Sequence, residues 1–183
     1  MESAESKRLT VIFGSERLFY RKAVIEDAEY DFEMLGDKDF VKYIGGGQTF
    51  TLEQITRGIE KEIIKEPAEK SGRWCIIIKK GAEYAGRCGI MPTPDNADTE
   101  IFYFIRRKFW GNGYASEAAR RLLDYCFEVF KLKRVTAWVY PANAPSIRVI
   151  EKLGMNYEGM FDYKGAPVQL RRYGISINEY KKL

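Results

Sequence analysis

Two glycines one residue apart, Gly111 and Gly113, stand where a β-rich run, T-E-I-F-Y-F-I, gives way to a helical pattern. Ala115, Ala118, Ala119, Leu122, Leu123, Cys126, Phe127 and Phe130 recur at helical spacing and form one apolar face. A helix that starts straight after a strand and a turn leaves its first backbone N–H groups without intrahelical partners. Those groups converge on one point, where the helix dipole adds partial positive charge. Arg106, Arg107 and Lys108 stand just before the turn, the densest basic run in the chain. Such a junction can hold a phosphate. It can equally be a tight turn that uses glycine only for its backbone freedom. A dinucleotide-binding loop fits less well. Its third glycine would fall on Ser116, and the next strand ends in Val139-Tyr140-Pro141, with no acid to hold a ribose.

The chain of 183 residues has no histidine. That excludes a Ser-His-Asp triad, a Cys-His pair and any His-ligated zinc site. A general base must then be a carboxylate, a tyrosine, the chain terminus or water. Cys75, Cys88 and Cys126 show no metal spacing, so no metal is expected. They fall in expected strands or on the helix core face and read as reduced core residues of a cytoplasmic protein. The net charge of +4 is mild and spread along the chain, which gives no support for nucleic-acid binding. No apolar run approaches the ~18–20 residues that would span a bilayer, and the mixed-charge start M-E-S-A-E-S-K-R is not a signal peptide.

The elements that must position the junction are legible in order. Residues 1–14 read as a tail, with L-T-V-I-F able to pair as an extra edge strand. A short strand, Arg17 to Arg21, precedes a helix from Val24 to Leu35. Gly45-Gly46-Gly47 is a flexible break. Thr51 and Gln54 form a capping box for a second helix, running to about Glu66 and stopped by Pro67. Strands Trp74 to Lys79 and Tyr84 to Met91 flank a hairpin turn, and a second turn, Met91 to Asp98, leads to the strand Thr99 to Ile105. After the long helix come a strand (Arg134 to Tyr140), a helix (Pro145 to Leu153) stopped at Gly154, and two strands (Met155 to Phe161 and Gln169 to Ser176). Hairpins surround one β-α-β crossover, so the expectation is a single α/β domain over 1–183, a mixed sheet with helices on both faces.

The junction resembles motif A of the GNAT superfamily of acetyl-CoA-dependent N-acetyltransferases, whose pattern is Gln/Arg-x-x-Gly-x-Gly/Ala. Here it stands as Lys108-Phe109-Trp110-Gly111-Asn112-Gly113, with lysine in place of the usual Gln or Arg. W-G-N-G-Y-A-S-E-A, R-L-F-Y-R-K-A-V-I-E-D-A and N-A-P-S-I-R-V-I-E-K-L-G-M are similar, in that order, to segments of the ribosomal-protein-alanine (Rim-type) branch. The resemblance covers nearly the whole chain. It implies about seven strands, splayed between the motif A strand and the next, with acetyl-CoA as co-substrate in the cleft.

Carried over residue by residue, the resemblance implies that the backbone of Phe104, Ile105 and Arg106 pairs with the pantetheine arm. Amides from Gly111 through Asn112, Gly113, Tyr114 and Ala115 to Ser116 would hold the pyrophosphate, and Asn143 would bond the pantetheine arm. Lys152 or the Arg106–Lys108 group would lie near the nucleotide phosphates, although Arg106 and Arg107 also read as a solvated strand end. Glu117, in the first helical turn, reads as structural. Transfer would be direct attack by an amine. Many family members carry a tyrosine seven residues after the asparagine to protonate the thiolate; here that position is Ile150, which also leaves open a non-catalytic acyl-CoA-binding domain. Ser146 is the alternative acid, as in the Rim-type branch, and also reads as a helix N-cap.

Glu100 is the candidate base; strand alternation puts it on one face with Phe102 and Phe104, and it also reads as a solvated strand end. At pH 7 an α-amine costs only ~1 kcal/mol to deprotonate, and a lysine or polyamine amine roughly 4–5 kcal/mol. A protein or peptide N-terminus is therefore the first expectation for the acceptor, and a small-molecule amine such as a polyamine or aminoglycoside the second. The acceptor pocket would form from the first two helices, the triple-glycine loop and the strand pair near Lys164. A homodimer is an expectation by family analogy alone.

Overall fold

A computed structural model describes residues 11–64, 71–93 and 97–183. One eight-stranded sheet runs through it: β1 (Val11–Gly14), β2 (Leu18–Arg21), β3 (Gly72–Ile78), β4 (Glu83–Pro92), β5 (Thr99–Ile105), β6 (Arg134–Val139), β7 (Asn156–Phe161) and β8 (Leu170–Ser176), in the order β1-β2-β3-β4-β5-β6-β8-β7. Every neighbouring pair is antiparallel except β5 and β6, which the crossover makes parallel. The expectation of about seven strands is exceeded by β1, the edge strand that L-T-V-I-F allowed, because Phe13 stacks on Tyr20 and Tyr125 and is 8% exposed.

The helices are α1 (Ala28–Leu35), α2 (Lys38–Val41), α3 (Leu52–Ile64), α4 (Tyr114–Glu128), α5 (Ala144–Lys152) and α6 (Ile177–Tyr180). The apolar stripe of α4 is buried as its spacing required, with Ala118, Ala119, Leu122, Leu123 and Cys126 fully enclosed against one face of the sheet. Shortening such a leucine to alanine costs about 2–5 kcal/mol. Helices α1 and α3 pack on the opposite face with Met34, Ile55 and Ile59. Their docking is also ionic. Arg21 pairs with Asp27 at 2.7 Å, and Arg87 bridges Asp31 at 2.9 Å and Glu62 at 3.0 Å. Removing one partner of such a buried pair costs about 3–5 kcal/mol.

The Thr51–Gln54 capping box is present, with both reciprocal bonds made. The helix end expected at Glu66–Pro67, the first ten residues and the middle of the 91–98 turn lie outside the described residues. The single-turn helices α2 and α6 were not expected, since four residues carry no periodicity. One correction concerns α5. Asn143, not Ser146, caps it, accepting from the Ser146 N–H at 3.4 Å, because Ala144 and Pro145 are already helical. All three cysteines are buried and free.

Candidate active site

Strand β5 pairs with β4 along its whole length, Thr99 with Pro92 to Ile105 with Gly86, but β5 and β6 share a single register pair, Glu100 with Thr136. Beyond it the two strands diverge and open a cleft of about 1190 Å³. Gly86 lets β5 sit tight on β4: it has φ +153°, and a Cβ there would meet the Phe104 carbonyl oxygen at 2.1 Å. Ile105 and Tyr103 face the α4 and α5 side of the sheet, whereas Glu100, Phe102 and Phe104 face α1 and α3. The splay therefore joins the two faces at one opening.

At the head of the cleft, Gly111 and Gly113 take φ +79° and +78°, and α4 begins at Tyr114. Only glycine holds this left-handed conformation without strain. A Cβ on Gly111 would meet nothing within 4 Å, so open space adjoins the loop. The loop is braced from the β1–β2 hairpin. Arg17 donates to the Asn112 carbonyl at 2.9 Å and to Glu117 at 2.7 Å, and lies over the Tyr114 ring. Ser15 and the Arg17 N–H also donate to Glu117. Burial opposes ionisation of Glu117, but these bonds outweigh it and lower its pKa. Glu117 thus has the structural place expected of it. Asn112 closes the turn by donating its amide to the Phe109 and Trp110 carbonyls. The backbone amides of Tyr114, Ala115 and Ser116 lie in the first turn of α4, and all three residues line the cleft.

Within the basic run only Arg106 departs from the reading of a solvated strand end; Arg107 and Lys108 are exposed, and Arg107 lines the cleft. Arg106 is 7% exposed, not solvated; it donates to the Tyr84 carbonyl and pairs with Glu33 of α1. Arg107 pairs with Asp37 at 3.0 Å and Lys108 with Glu83 at 2.9 Å. Each cation is held by a carboxylate of a neighbouring element, which spacing along the chain could not show. The Arg106 N–H donates to Ala85, and the Ile105 carbonyl accepts from the Trp110 indole at 2.6 Å.

Glu100 is buried at 5% exposure, and the reading of a solvated strand end does not hold for it. Its Oε1 accepts from the Tyr163 hydroxyl at 2.5 Å, while Oε2 has no partner among the described residues. Burial pushes its pKa up to about 7, and the Tyr163 bond pulls the other way. On the opposite face, the Ser146 Oγ lies 3.1 Å from the Tyr103 hydroxyl. Burial pushes that tyrosine up to about 12, against the Ser146 bond. Ile150 is in the core. Asn143, Ser146 and Ile150 all line the cleft. The triple-glycine loop reaches the same opening, since Tyr140 donates to the Gly45 carbonyl and a Cβ on Gly46 would meet the Gly165 carbonyl at 2.9 Å.

Tyr103, Tyr163 and Trp138 were missed from sequence. Alternation places Tyr103 opposite Glu100 but cannot say that α5 arrives beneath it. Tyr163 stood only as part of a turn. Among the described residues no cluster could hold a metal, and no helix is long and apolar enough to cross a membrane.

Comparison with known proteins agrees with this geometry. The family model "Acetyltransferase (GNAT) domain" matches residues 17–156. The chain is 33% identical to an N-acetyltransferase, p20, of Bacillus licheniformis over 171 residues, covering 91% of this chain and 96% of that protein. An acetyltransferase (GNAT family) structure from Bacillus anthracis shares 30% identity at a TM-score of 0.75, covering 92% and 97% of the two chains. In fold it also matches RimL, a ribosomal L7/L12 alpha-N-protein acetyltransferase solved with coenzyme A, at TM-score 0.75 and 18% identity, covering 93% and 99%. The chain belongs to the GNAT family and is an acetyl-CoA-dependent N-acetyltransferase.

Proposed function

We propose that the acceptor is the N-terminal α-amine of a protein or peptide, attacked directly in a ternary complex, with Glu100 as base and Ser146 as acid. The observation that carries this reading is the Glu100 carboxyl: buried, held through one oxygen by Tyr163, and with Oε2 unpartnered beside the splay. A base with pKa about 7 lies close to an α-amine at about 8 and far below a lysine or polyamine amine at about 10.4. Proton transfer to it is uphill by about 1 kcal/mol in the first case and roughly 4–5 in the second. One fold neighbour, RimL, is described as acting on a protein α-amine.

The residues fit acetyl-CoA. Gly111 opens onto empty space, the N–H groups at the start of α4 are suited to a pyrophosphate, and the side of β5 that β6 leaves unpaired is suited to an extended arm. Acetyl-CoA supplies the activated acyl group as a thioester. Gly111 to Ser116 would hold the phosphates, and the Ile105 N–H with Asn143 would orient the arm; the Arg106 N–H, bonded to Ala85, and the Ile105 carbonyl, bonded to the Trp110 indole, are already engaged. Glu100 takes the amine proton as the N–C bond forms. Ser146, backed by Tyr103, gives a proton to the sulfur as the C–S bond breaks. The two groups sit on opposite faces of β5, so the amine and the thioester would approach the gap from opposite sides.

The test is thiol release from acetyl-CoA with an alanine-terminated peptide, spermidine and an aminoglycoside at pH 7. A kcat/KM at least tenfold higher for the peptide is expected. Preference for spermidine or the aminoglycoside would put a small-molecule amine in its place.

A further inference from the structure

Two buried polar atoms beside the splay lack a hydrogen-bond partner among the described residues: Glu100 Oε2 on β5 and Trp138 Nε1 on β6. Glu100 is in register with Thr136, and Trp138 lies two residues further along β6, so the three side chains share one face of the sheet. Tyr163 touches both residues. Its hydroxyl donates to Glu100, and its ring centroid is 5.0 Å from that of Trp138. The indole is packed by Phe161 at 6.2 Å and by the Arg172 guanidinium at 5.6 Å. An indole N–H can only donate, and a carboxylate can only accept. A buried polar group without a partner is costly, so a molecule that satisfies both is favoured over one that satisfies one.

We propose that Trp138 is a specificity-determining residue, whose indole N–H donates to a carbonyl-type oxygen that the acceptor carries beside its reacting amine. This rests on the reading of Glu100 as the group that faces that amine. An α-amine and the carbonyl of the same residue present a donor and an acceptor one carbon apart, which matches the opposite senses of Glu100 and Trp138. A protonated polyamine presents donors only and leaves the indole N–H unsatisfied. Both atoms are closed from solvent in this structure. The acceptor therefore reaches them as the side chains packed on the indole, Phe161 and Arg172, make way, with Tyr163 kept on Glu100 Oε1.

The experiment is a two-by-two cycle on the full chain. Wild type and Trp138→Phe are assayed by thiol release from acetyl-CoA with two probes: Ala-Ala-Ala amide, and its analogue with an alkene in place of the first peptide bond. Differences in amine basicity cancel in the ratio of ratios. Wild type should prefer the carbonyl probe by about tenfold in kcat/KM, mostly through KM, and the variant should lose that preference. An equal preference in both proteins overturns the proposal. Acetyl-CoA binding by calorimetry checks that the variant folds. Should it not fold, wild type alone decides: no preference for the carbonyl probe, at matched neutral-amine concentration, overturns the proposal. Failure of the underlying reading looks different, because neither probe is then acetylated while another amine is, and the proposal falls with it.

Discussion

The Tyr163 hydroxyl lies 2.5 Å from Glu100 Oε1, so a turn near the end of the chain holds one oxygen of a carboxylate on the central strand β5. That bond orients Glu100 and leaves its other oxygen for chemistry. It also moderates the carboxyl's pKa, which burial pushes up to about 7.

If Glu100 is the base, kcat at saturating acceptor rises with pH and levels off above about 7 as the carboxyl ionises. Glu100→Gln should lose about 10²-fold or more in kcat together with this limb. Tyr163→Phe removes the donor that favours the ionised form, so the limb should move to higher pH. Steady-state rates from pH 5.5 to 9 check all three, and an unchanged limb in Glu100→Gln removes the assignment.

The same carboxyl should cost stability. Its folded pKa, about 7, lies above the ordinary 4.5, so as pH rises the unfolded chain releases this proton first. The native state is therefore fully favoured below about pH 4.5 and loses that advantage by about pH 7, by roughly 3 kcal/mol at most from this one group. Urea midpoints measured from pH 4.5 to 8 should show a decline in wild type that is shallower in Glu100→Gln.

Ser146→Ala should lower kcat by about 10–100-fold with little change in acetyl-CoA affinity. Tyr103→Phe should have a smaller effect, since its hydroxyl acts through the Ser146 Oγ 3.1 Å away. The double variant should match Ser146→Ala alone, because the two hydroxyls act as one unit. Single-turnover rates decide it; full activity in Ser146→Ala points to another acid.

Gly113→Glu should abolish acetyl-CoA binding in calorimetry, since a side chain there strains the turn, starts 3.4 Å from the Arg17 guanidinium that braces it, and adds negative charge beside the α4 N-terminus. Gly113→Ala keeps the charge but strains a φ of +78°, at a cost of about 1–2 kcal/mol. A thermal or urea melt checks the second change. Retained acetyl-CoA affinity in Gly113→Glu removes the cradle.

Local pattern was enough for much of the fold. The spacing of Ala118, Leu122 and Cys126 required a helix with one buried face. The Thr51–Gln54 pair required a helix start, and the two glycines before Tyr114 required a turn that a side chain would strain. These are short-range effects, set by backbone geometry and hydrophobic period within about a dozen residues. Glu100 and Ser146 could also be picked out as candidates, one by strand alternation and the other by resemblance.

What sequence could not decide is which groups meet. Tyr163 reaches Glu100 across 63 residues, Tyr103 reaches Ser146 across 43, and Arg17 reaches Glu117 across 100. Such pairings follow from the order of strands in the sheet, which local propensity does not encode. The basic run Arg106–Lys108 shows the same limit. Its charge was plain in the sequence, but only the packing of α1, α2 and β4 supplied Glu33, Asp37 and Glu83 as its partners. The buried state of Glu100, and with it the raised pKa, likewise exists only once two faces of a sheet close around a single strand.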